Sequence, residues 1–379
     1  MVSLTANQSV EQGDGCSTGA QWRSSGVRAN GANGSYAYPK SVATAFSLPV
    51  SSEVLYFVAH GSQLSGSLDV VDDGYEEGVV QVDVTVFYYD DSALDRASVC
   101  KLSREGGQNG VGFFTPSRWE FPSGREQIFM KVVAHFPAVH GEGVLRIPAF
   151  DTNLPLFSQQ LGALEGSVYF DSLALRSSNA RIAAQSVKAK SARIETSNSP
   201  IEGVYKTDRY LSLVTSNARI QAQVGLYNDD GVRATELVMT TSNSNIESEI
   251  SMHSTASSHT GGSFKSTLTT KNGRIDVSHP DAPVDALLDF TASSTNSGVT
   301  VQLHPAYEGG FELGTSNARA VVDVGGKVPD PKRRGRERRV WQEGGQRGAV
   351  RGEVYWEEER RGAGRVVVRS SNSPVMLRL

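Results

Sequence analysis

The stretch LSLVTSNARI, residues 211–220, decides how this chain folds. Leu211 and Leu213 are two residues apart and therefore lie on the same side of a β-strand. Ile220 comes seven residues after Leu213, an odd number, so one straight strand would turn it to the opposite side. The chain must bend between them. Asn217 suits the bend, because asparagine tolerates positive φ and can hydrogen-bond to its own backbone.

The same pattern recurs along the C-terminal half of the chain. Apolar residues stand six and four positions before a central asparagine, and another apolar residue stands three positions after it. Only one copy weakens, where Ser266 replaces the first apolar residue. The pattern predicts eight structural turn asparagines: Asn179, Asn198, Asn217, Asn243, Asn272, Asn296, Asn317 and Asn372. Their spacings are 19, 19, 26, 29, 24 and 21 residues, and then 55.

This periodicity predicts an all-β protein. We expect a right-handed parallel β-solenoid-like array in the C-terminal half, since repeats of about 20 residues with short strands favour stacked rungs. The asparagines would then stack, each amide bonding to the next. Separate hairpins in an antiparallel β-sandwich remain the alternative.

The rest of the chain divides into three further segments. Residues 1–40 are rich in Ser, Gly, Asn and Gln and are predicted to be a disordered polar tail. Residues 41–169 alternate apolar and polar positions between Gly and Pro turns, which predicts a β-rich N-terminal region. The array is assigned to residues 170–379, with a basic loop insertion at 325–349.

The insertion carries the strongest local charge. Residues 325–369 contain 13 Lys and Arg against 7 Asp and Glu, a net charge of +6. The first interpretation of this run is a contact for an acidic partner or a nuclear import signal in KRRGRERR (332–339), and the second is a solvated loop. We expect the second: a mobile loop over 326–348, followed by strands at 350–356 and 365–377 that close the end of the array.

Composition limits the compartment and the partners. The two cysteines, Cys16 and Cys100, give no disulfide framework, which is compatible with a reducing compartment. No apolar run is long enough to span a membrane, and residues 1–15 lack the pattern of a secretory signal. The expected location is therefore cytoplasmic, with unconventional secretion as the alternative. The net charge of −4 makes nucleic acid an unfavoured partner.

No catalytic, cofactor-binding or metal-binding residue can be assigned from the sequence. The seven histidines have no ligand spacing. The acidic residues of the repeats are Glu195, Glu202, Glu247, Asp276 and Asp323, and they are not expected to form one row. A polysaccharide-active β-solenoid enzyme, a lyase or a hydrolase, would need such a row. It remains the alternative to a protein without catalysis.

Several stretches carry a family resemblance. They are LALRSSNARI (173–182), ARIETSNSPIEG (192–203), LVMTTSNSNIES (237–248) and VVVRSSNSPVMLRL (366–379), together with AFSLP (45–49) and LRIPAFDTNLPLF (145–157) upstream. They resemble a group of fungal proteins of unknown function related to a broader family of adhesin-like proteins. The resemblance covers roughly residues 41–379. It implies a β-solenoid-like fold and adhesion or surface binding, with no catalytic residues to carry over.

These observations favour a non-catalytic binding or structural scaffold without a cofactor. Its partner would be an extended glycan or a protein surface. Sugars stack on aromatic rings, yet the four tryptophans, Trp22, Trp119, Trp341 and Trp356, lie outside the repeat cores. This placement weakens the expectation of a glycan.

Overall fold

The computed structural model describes residues 16–26, 38–118, 124–139, 141, 143–229, 233–344 and 348–379. Within these ranges the chain is all-β, as predicted, with one short helix, α1 (Asp91–Leu94), and two 3₁₀ turns, Gly124–Glu126 and Glu358–Arg360. The strands of the N-terminal half are β1 (Cys16–Gly19), β2 (Arg23–Ser24), β3 (Lys40–Pro49), β4 (Val54–His60), β5 (Leu64–Gly74), β6 (Val79–Tyr88), β7 (Ser98–Arg104), β8 (Gln108–Phe114), β9 (Ile128–Pro137), β10 (Leu145–Asn153), β11 (Phe157–Ala163), β12 (Val168–Arg176) and β13 (Ile182–Glu195). Those of the C-terminal half are β14 (Ile201–Val214), β15 (Ile220–Asn228), β16 (Thr235–Thr240), β17 (Ile246–Ser254), β18 (Ser263–Thr269), β19 (Ile275–Ser278), β20 (Leu287–Ser294), β21 (Val299–Gln302), β22 (Gly309–Thr315), β23 (Ala320–Asp323), β24 (Arg339–Gly344), β25 (Ala349–Tyr355), β26 (Gly364–Ser370) and β27 (Val375–Arg378).

The chain forms two compact units, Met1–Val187 and Lys188–Leu379. In the first unit, β3, β6 and β9 pair antiparallel, and β9, β5 and β11 continue in parallel. A second series begins with the antiparallel strands β1, β7 and β8 and continues in parallel through β4, β10 and β12. Aromatic rings fill the core between the two series: Phe136 of β9 contacts Phe150 of β10 and Phe170 of β12, with ring centroids 5.8 and 6.1 Å apart.

The second unit consists of two ladders of parallel strands. Ladder 1 contains the end of β14, from Tyr210 to Val214, and then β16, β18 and β20. Ladder 2 contains the start of β14, from Ile201 to Thr207, and then β15, β17, β19 and β21. The hairpins of the sandwich alternative would require antiparallel pairs, whereas the described pairs among these strands, from β14 to β21, are parallel. The handedness of the array stays a prediction.

The last rungs do not follow chain order. Strands β26 and β27, which end the chain, pair in parallel with β20 and β21 on one side and with β22 and β23 on the other. The final repeat is therefore inserted between the two repeats that precede it in the sequence. Beyond β22, strands β25 and β24 add antiparallel and close the end of ladder 1.

The repeat pattern identifies the core of the array correctly. The apolar positions before and after the asparagines are buried on both ladders, including Leu211 (1% exposed), Leu213 (0%) and Ile220 (0%). Ser266, the weak position, is also buried, and its hydroxyl has no hydrogen-bond partner. The exception is Ala320 on the last strand of ladder 2, which is half-buried.

The corner between the ladders depends on the side chains around each asparagine. The residue two positions before it is a buried Thr or Ser, whose hydroxyl donates to a backbone carbonyl on a neighbouring rung. Thr241 Oγ1 donates to Ala218 at 3.1 Å, and Ser294 Oγ donates to Gly273 at 3.0 Å. Gly273 itself is required by close packing, because a Cβ there would lie 1.6 Å from the Ser244 carbonyl oxygen.

Two expectations for the N-terminal residues are wrong. Residues 16–24 of the predicted disordered tail contain β1, which pairs with β7, and β2, which pairs with β3. Cys16 forms a disulfide with Cys100 on β7, although the two residues are 84 positions apart. Sequence reasoning could not pair them, because one cysteine stood in a segment with no predicted structure. Residues 1–15 and 27–37 of the predicted tail lie outside the described residues.

The expectation of a solvated loop over 326–348 is wrong in part: residues 326–338 form no helix or strand, but some of their basic side chains are paired and partly buried. Residues 339–344 form strand β24, and residues 345–347 lie outside the described residues. Lys332 bonds Asp285 at 2.7 Å, while Arg336 bonds Asp330 and Glu357 at 2.6 Å each. The side chains of Lys332 and Arg336 are only 15% and 17% exposed. The strands expected at 350–356 and 365–377 are present as β25, β26 and β27, but of these β25 lies at the end of the array, while β26 and β27 lie between earlier rungs.

Candidate binding face

A row of polar side chains crosses the outer side of ladder 2. Glu202 of β14 is in register with Gln221 of β15, which is in register with Glu247 of β17, and Glu247 with Asp276 of β19. Each of the four stands four residues after its asparagine. Adjacent rungs are about 4.8 Å apart, so the row presents a carboxylate or an amide at every step.

This row corrects the expectation that the acidic residues share no offset. Glu202, Glu247 and Asp276 do share one, and parallel pairing turns a shared offset into a line across the strands. The pattern was obscured by Glu195 and Asp323, which lie three residues before and six residues after their asparagines. The shared offset was present in the sequence, and it appears when the distance from each acidic residue to its asparagine is counted separately.

A second row runs parallel to the first, two residues further along each strand. It consists of Val204, Gln223, Glu249 and Ser278. The two rows line an open groove of about 660 Å³. We call the two rows together the acidic face.

Two arginines partly neutralise the acidic face. Arg219 donates to Glu202 Oε1 from Nε at 3.0 Å and from a terminal nitrogen at 2.5 Å, and Arg274 pairs with Asp276. Glu249 accepts a hydrogen bond from Gln223 at 3.3 Å. Glu247 is exposed and forms no ion pair with any described residue. The face therefore retains negative charge near its centre.

Beyond the acidic face the same strands carry two aromatic rings. Tyr227 of β15 and His253 of β17 are in register and stack with centroids 4.8 Å apart. Each stands ten residues after its asparagine. The Nζ of Lys188 lies 4.7 Å from the centre of the Tyr227 ring, and His253 Nδ1 lies 3.6 Å from Asp281. Sequence reasoning examined only tryptophan and missed this pair.

Burial lowers the pKa of His253, and the carboxylate of Asp281 opposes that shift. The imidazole is therefore favoured in its neutral form. A neutral ring stacked on a tyrosine offers an aromatic surface without repelling cations.

The predicted turn asparagines lie at the corner, outside the acidic face. Six hydrogen bonds of 2.6–2.7 Å link seven of them through their side-chain amides, in the order Asn198, Asn217, Asn243, Asn272, Asn296, Asn372 and Asn317. The eighth, Asn179, belongs to the first unit. Because these amides bond to one another, the asparagines link neighbouring rungs at the corner.

No group of three or more His, Cys, Asp or Glu side chains in the described ranges is arranged to hold a metal ion. The polar side chains that the acidic face presents are carboxylates, amides and the hydroxyl of Ser278. The helices in those ranges are too short to cross a membrane.

Comparison with known families and curated proteins finds no match. No family model matches this chain. No curated protein matches it either.

Solved structures give weak likenesses. One is "a putative cell adhesion protein from Clostridium sporogenes ATCC 15579", at 7% identity and a TM-score of 0.20, covering 90% of this chain and 99% of that one. Another is "a putative adhesin from Parabacteroides merdae ATCC 43184", at 16% identity and a TM-score of 0.27, covering 69% of this chain and 96% of that one. Both TM-scores are too low to show a shared fold, and the fungal family stays an expectation.

Proposed function

We propose that this protein is a non-catalytic, adhesin-like binding scaffold and that its acidic face holds an extended, hydroxyl-rich polymer such as a glycan. The observation that carries the proposal is the in-register row Glu202, Gln221, Glu247 and Asp276. Carboxylates and amides accept and donate hydrogen bonds to hydroxyl groups. Because similar groups recur at each rung, a polymer running across the strands meets them repeatedly.

The ring pair supports the same ligand class. Tyr227 and His253 lie on the outer side of the strands that carry the centre of the row. Six residues of strand separate the pair from the row, which is about 20 Å. A branched or folded glycan contacts both, with a sugar ring against the aromatic surface and hydroxyls on the row.

The disulfide supports a location outside the reducing cytoplasm. Cys16–Cys100 joins β1 to β7, and disulfides persist in oxidising compartments. This argues against the cytoplasmic location expected from the sequence. An adhesin acts where such a bond is stable.

A binding assay against cell-wall polymers tests the proposal. We expect the protein to be pulled down by at least one of chitin, chitosan, cellulose or β-glucan. The double variant Glu247→Gln/Glu249→Gln should bind about tenfold more weakly, because it replaces charge-assisted hydrogen bonds with neutral ones. Glu236→Gln, which removes one carboxylate on the outer side of ladder 1, is the control and should bind normally.

Two outcomes would contradict this function. One is the absence of binding to every polymer. The other is an equal loss in Glu236→Gln, which would indicate a general effect of charge.

The carboxylate row also favours a second candidate, a polysaccharide-active enzyme. Glu247 and Asp276 stand on adjacent rungs, about 4.8 Å apart, and paired carboxylates can perform acid–base cleavage of glycans. Measuring new reducing or unsaturated ends after incubation with each polymer separates the two candidates. A scaffold releases none, whereas an enzyme releases them and loses that activity in Glu247→Gln.

A further inference from the structure

A second groove, opposite in charge to the acidic face, lies at the corner of the last rungs. Its volume is about 590 Å³. Two glycines, Gly314 and Gly348, keep its floor free of side chains. Gly348 has φ +72° and a Cβ there would lie 2.3 Å from the Thr315 carbonyl oxygen, so a larger residue is excluded. We call this site the corner groove.

Two cations stand in the corner groove. Lys271 precedes its asparagine, at a position where the other copies of the second unit have Ser or Thr. It is exposed and forms no ion pair with any residue that the structure describes. Arg369, on the inserted strand β26, pairs with Glu312 of β22 at 2.7 Å. Among the described residues that line the groove there is no carboxylate.

The remaining lining is rich in hydroxyl groups of two kinds. The inner ones hold the corner, as when Thr270 donates to the Ser244 carbonyl at 3.2 Å. The outer ones belong to Thr269, Ser293, Thr295 and Ser371, which are half-buried or exposed. Their side chains form no hydrogen bond with another described residue. They are therefore open to a ligand.

We propose that the corner groove binds an anionic, hydroxyl-rich polymer, such as a uronate-containing or sulfated glycan. Lys271 and Arg369 would hold the anionic groups, because charge-assisted hydrogen bonds are the strong ones at an exposed site. The outer hydroxyls bond to the sugar hydroxyls between them. This site is separate from the acidic face, which repels anions.

Affinity electrophoresis in gels containing polygalacturonate, dextran sulfate or neutral dextran tests the proposal. The intact protein should be retarded by at least one anionic polymer and not by dextran. Lys271→Ser restores the residue type of the neighbouring copies, so the fold should tolerate it. It should lower the affinity about tenfold, the effect of losing one charge-assisted contact. Higher salt should weaken the retardation as well.

Lys265→Ser is the matched control. Lys265 is exposed on ladder 1, in register with Glu236 and Asp289, so this variant makes the same change in net charge outside the groove. Unchanged retardation of Lys265→Ser supports the corner groove. An equal loss in both variants, equal retardation by dextran, or no retardation by either anionic polymer at low salt would overturn it. Glu247→Gln/Glu249→Gln should not weaken this binding. The proposal for the corner groove and the proposal for the acidic face are therefore tested independently.

Discussion

At the scale of single residues, His279 is a titratable group that its surroundings perturb strongly. Its ring is buried, its Nδ1 donates to the Gln302 carbonyl at 3.0 Å, and its Nε2 has no hydrogen-bond partner among the described residues. The edge of the ring meets Phe290, with centroids 5.2 Å apart. The pKa of His279 is lowered to about 4, mainly by burial and in smaller part by the neighbouring His304, while the hydrogen bond to Gln302 opposes the shift. The folded array therefore holds this imidazole neutral.

The sign of the pH effect follows from that shift. Between pH 6.5 and about 4 the unfolded chain binds a proton at His279 that the folded chain does not. Stability should therefore fall as the pH is lowered through this range, by roughly 3 kcal/mol for this group. His253 and His304, whose pKa values are also lowered by burial, act in the same direction, while Asp281 opposes both shifts.

Urea unfolding at a series of pH values measures the effect. His279→Leu should reduce the slope of stability against pH between 6.5 and 4, although it also loses the bond to Gln302 and is less stable at neutral pH. His259→Gln, which changes an exposed histidine of the same unit, is the control. Identical slopes for wild type and His279→Leu would show that the buried ring does not titrate as argued.

At the scale of strands and loops, the repeat offsets identify the core but cannot reveal the order of the rungs. Leu213, Ile220 and their equivalents are buried because the offset of each fixes the side of its strand. The insertion of β26 between β20 and β22 depends on which strand edges pair in the fold. The repeat pattern in the sequence would be the same for any order of the rungs. The row of Glu202, Glu247 and Asp276 could have been predicted from the sequence, because it depends only on a shared offset and on the pairing of consecutive repeats.

The rung order also determines how the arginines near the corner are spaced along the ladder. Two residues after the asparagines, arginine alternates with neutral residues along the sequence. In the order of the ladder, Gly298 and Pro374 become neighbours, and Arg319 follows. The alternation is therefore not strict. No two arginines of this set occupy adjacent rungs of the second unit, which still limits their repulsion.

The basic insertion was misjudged because its partners are distant in sequence. Glu357 lies 2.6 Å from Arg336, 3.4 Å from Arg334 and 3.5 Å from Lys332. Glu308, only 4% exposed, accepts from the Trp356 backbone nitrogen at 2.7 Å. The Glu357 carboxylate thus pairs with three cations, and the Glu308 carboxylate fixes the backbone next to it. A count of charges along the sequence shows the excess but not the pairing.

Glu357→Gln should release the insertion from these contacts. We expect tryptic cleavage within Lys332–Arg339 to accelerate about tenfold, which corresponds to about 1.4 kcal/mol of easier local opening. Glu358→Gln removes a more exposed carboxylate, 56% exposed and 3.8 Å from Arg339, and should change the rate little. Mass spectrometry of the first fragments identifies the cleavage sites and their rates. Equal cleavage rates for Glu357→Gln and Glu358→Gln would show that Glu357 does not hold this segment.

At the scale of the whole molecule, the charges are separated more than the net value of −4 suggests. Residues 325–369 carry +6, and the remaining residues sum to −10. Much of the positive charge is paired within the insertion, while Lys271 and Arg369 stand in the corner groove. The acidic face lies on the other ladder of the same unit. Such separation suits a scaffold that binds ligands of different charge.

The disulfide adds a covalent constraint to the first unit. Cys100 is 1% exposed and packs with Tyr56, Leu102 and Phe114, and Cys16 lies against this cluster. Strands β1 and β2 are only four and two residues long and largely exposed. They bury little apolar surface of their own, so the bridge adds a covalent attachment to their pairing with β7 and β3.

Cys16→Ser should therefore destabilise the first unit by roughly 2–4 kcal/mol, because closing a long loop restricts the unfolded chain. The change should appear as a lower urea midpoint under oxidising conditions. Adding a reductant should lower the wild-type midpoint by a similar amount and leave Cys16→Ser unchanged, while Ser17→Ala, beside the bridge, serves as the control. A wild-type midpoint that does not respond to the reductant would mean that the bridge contributes nothing to stability, and that the chain is equally suited to a reducing compartment.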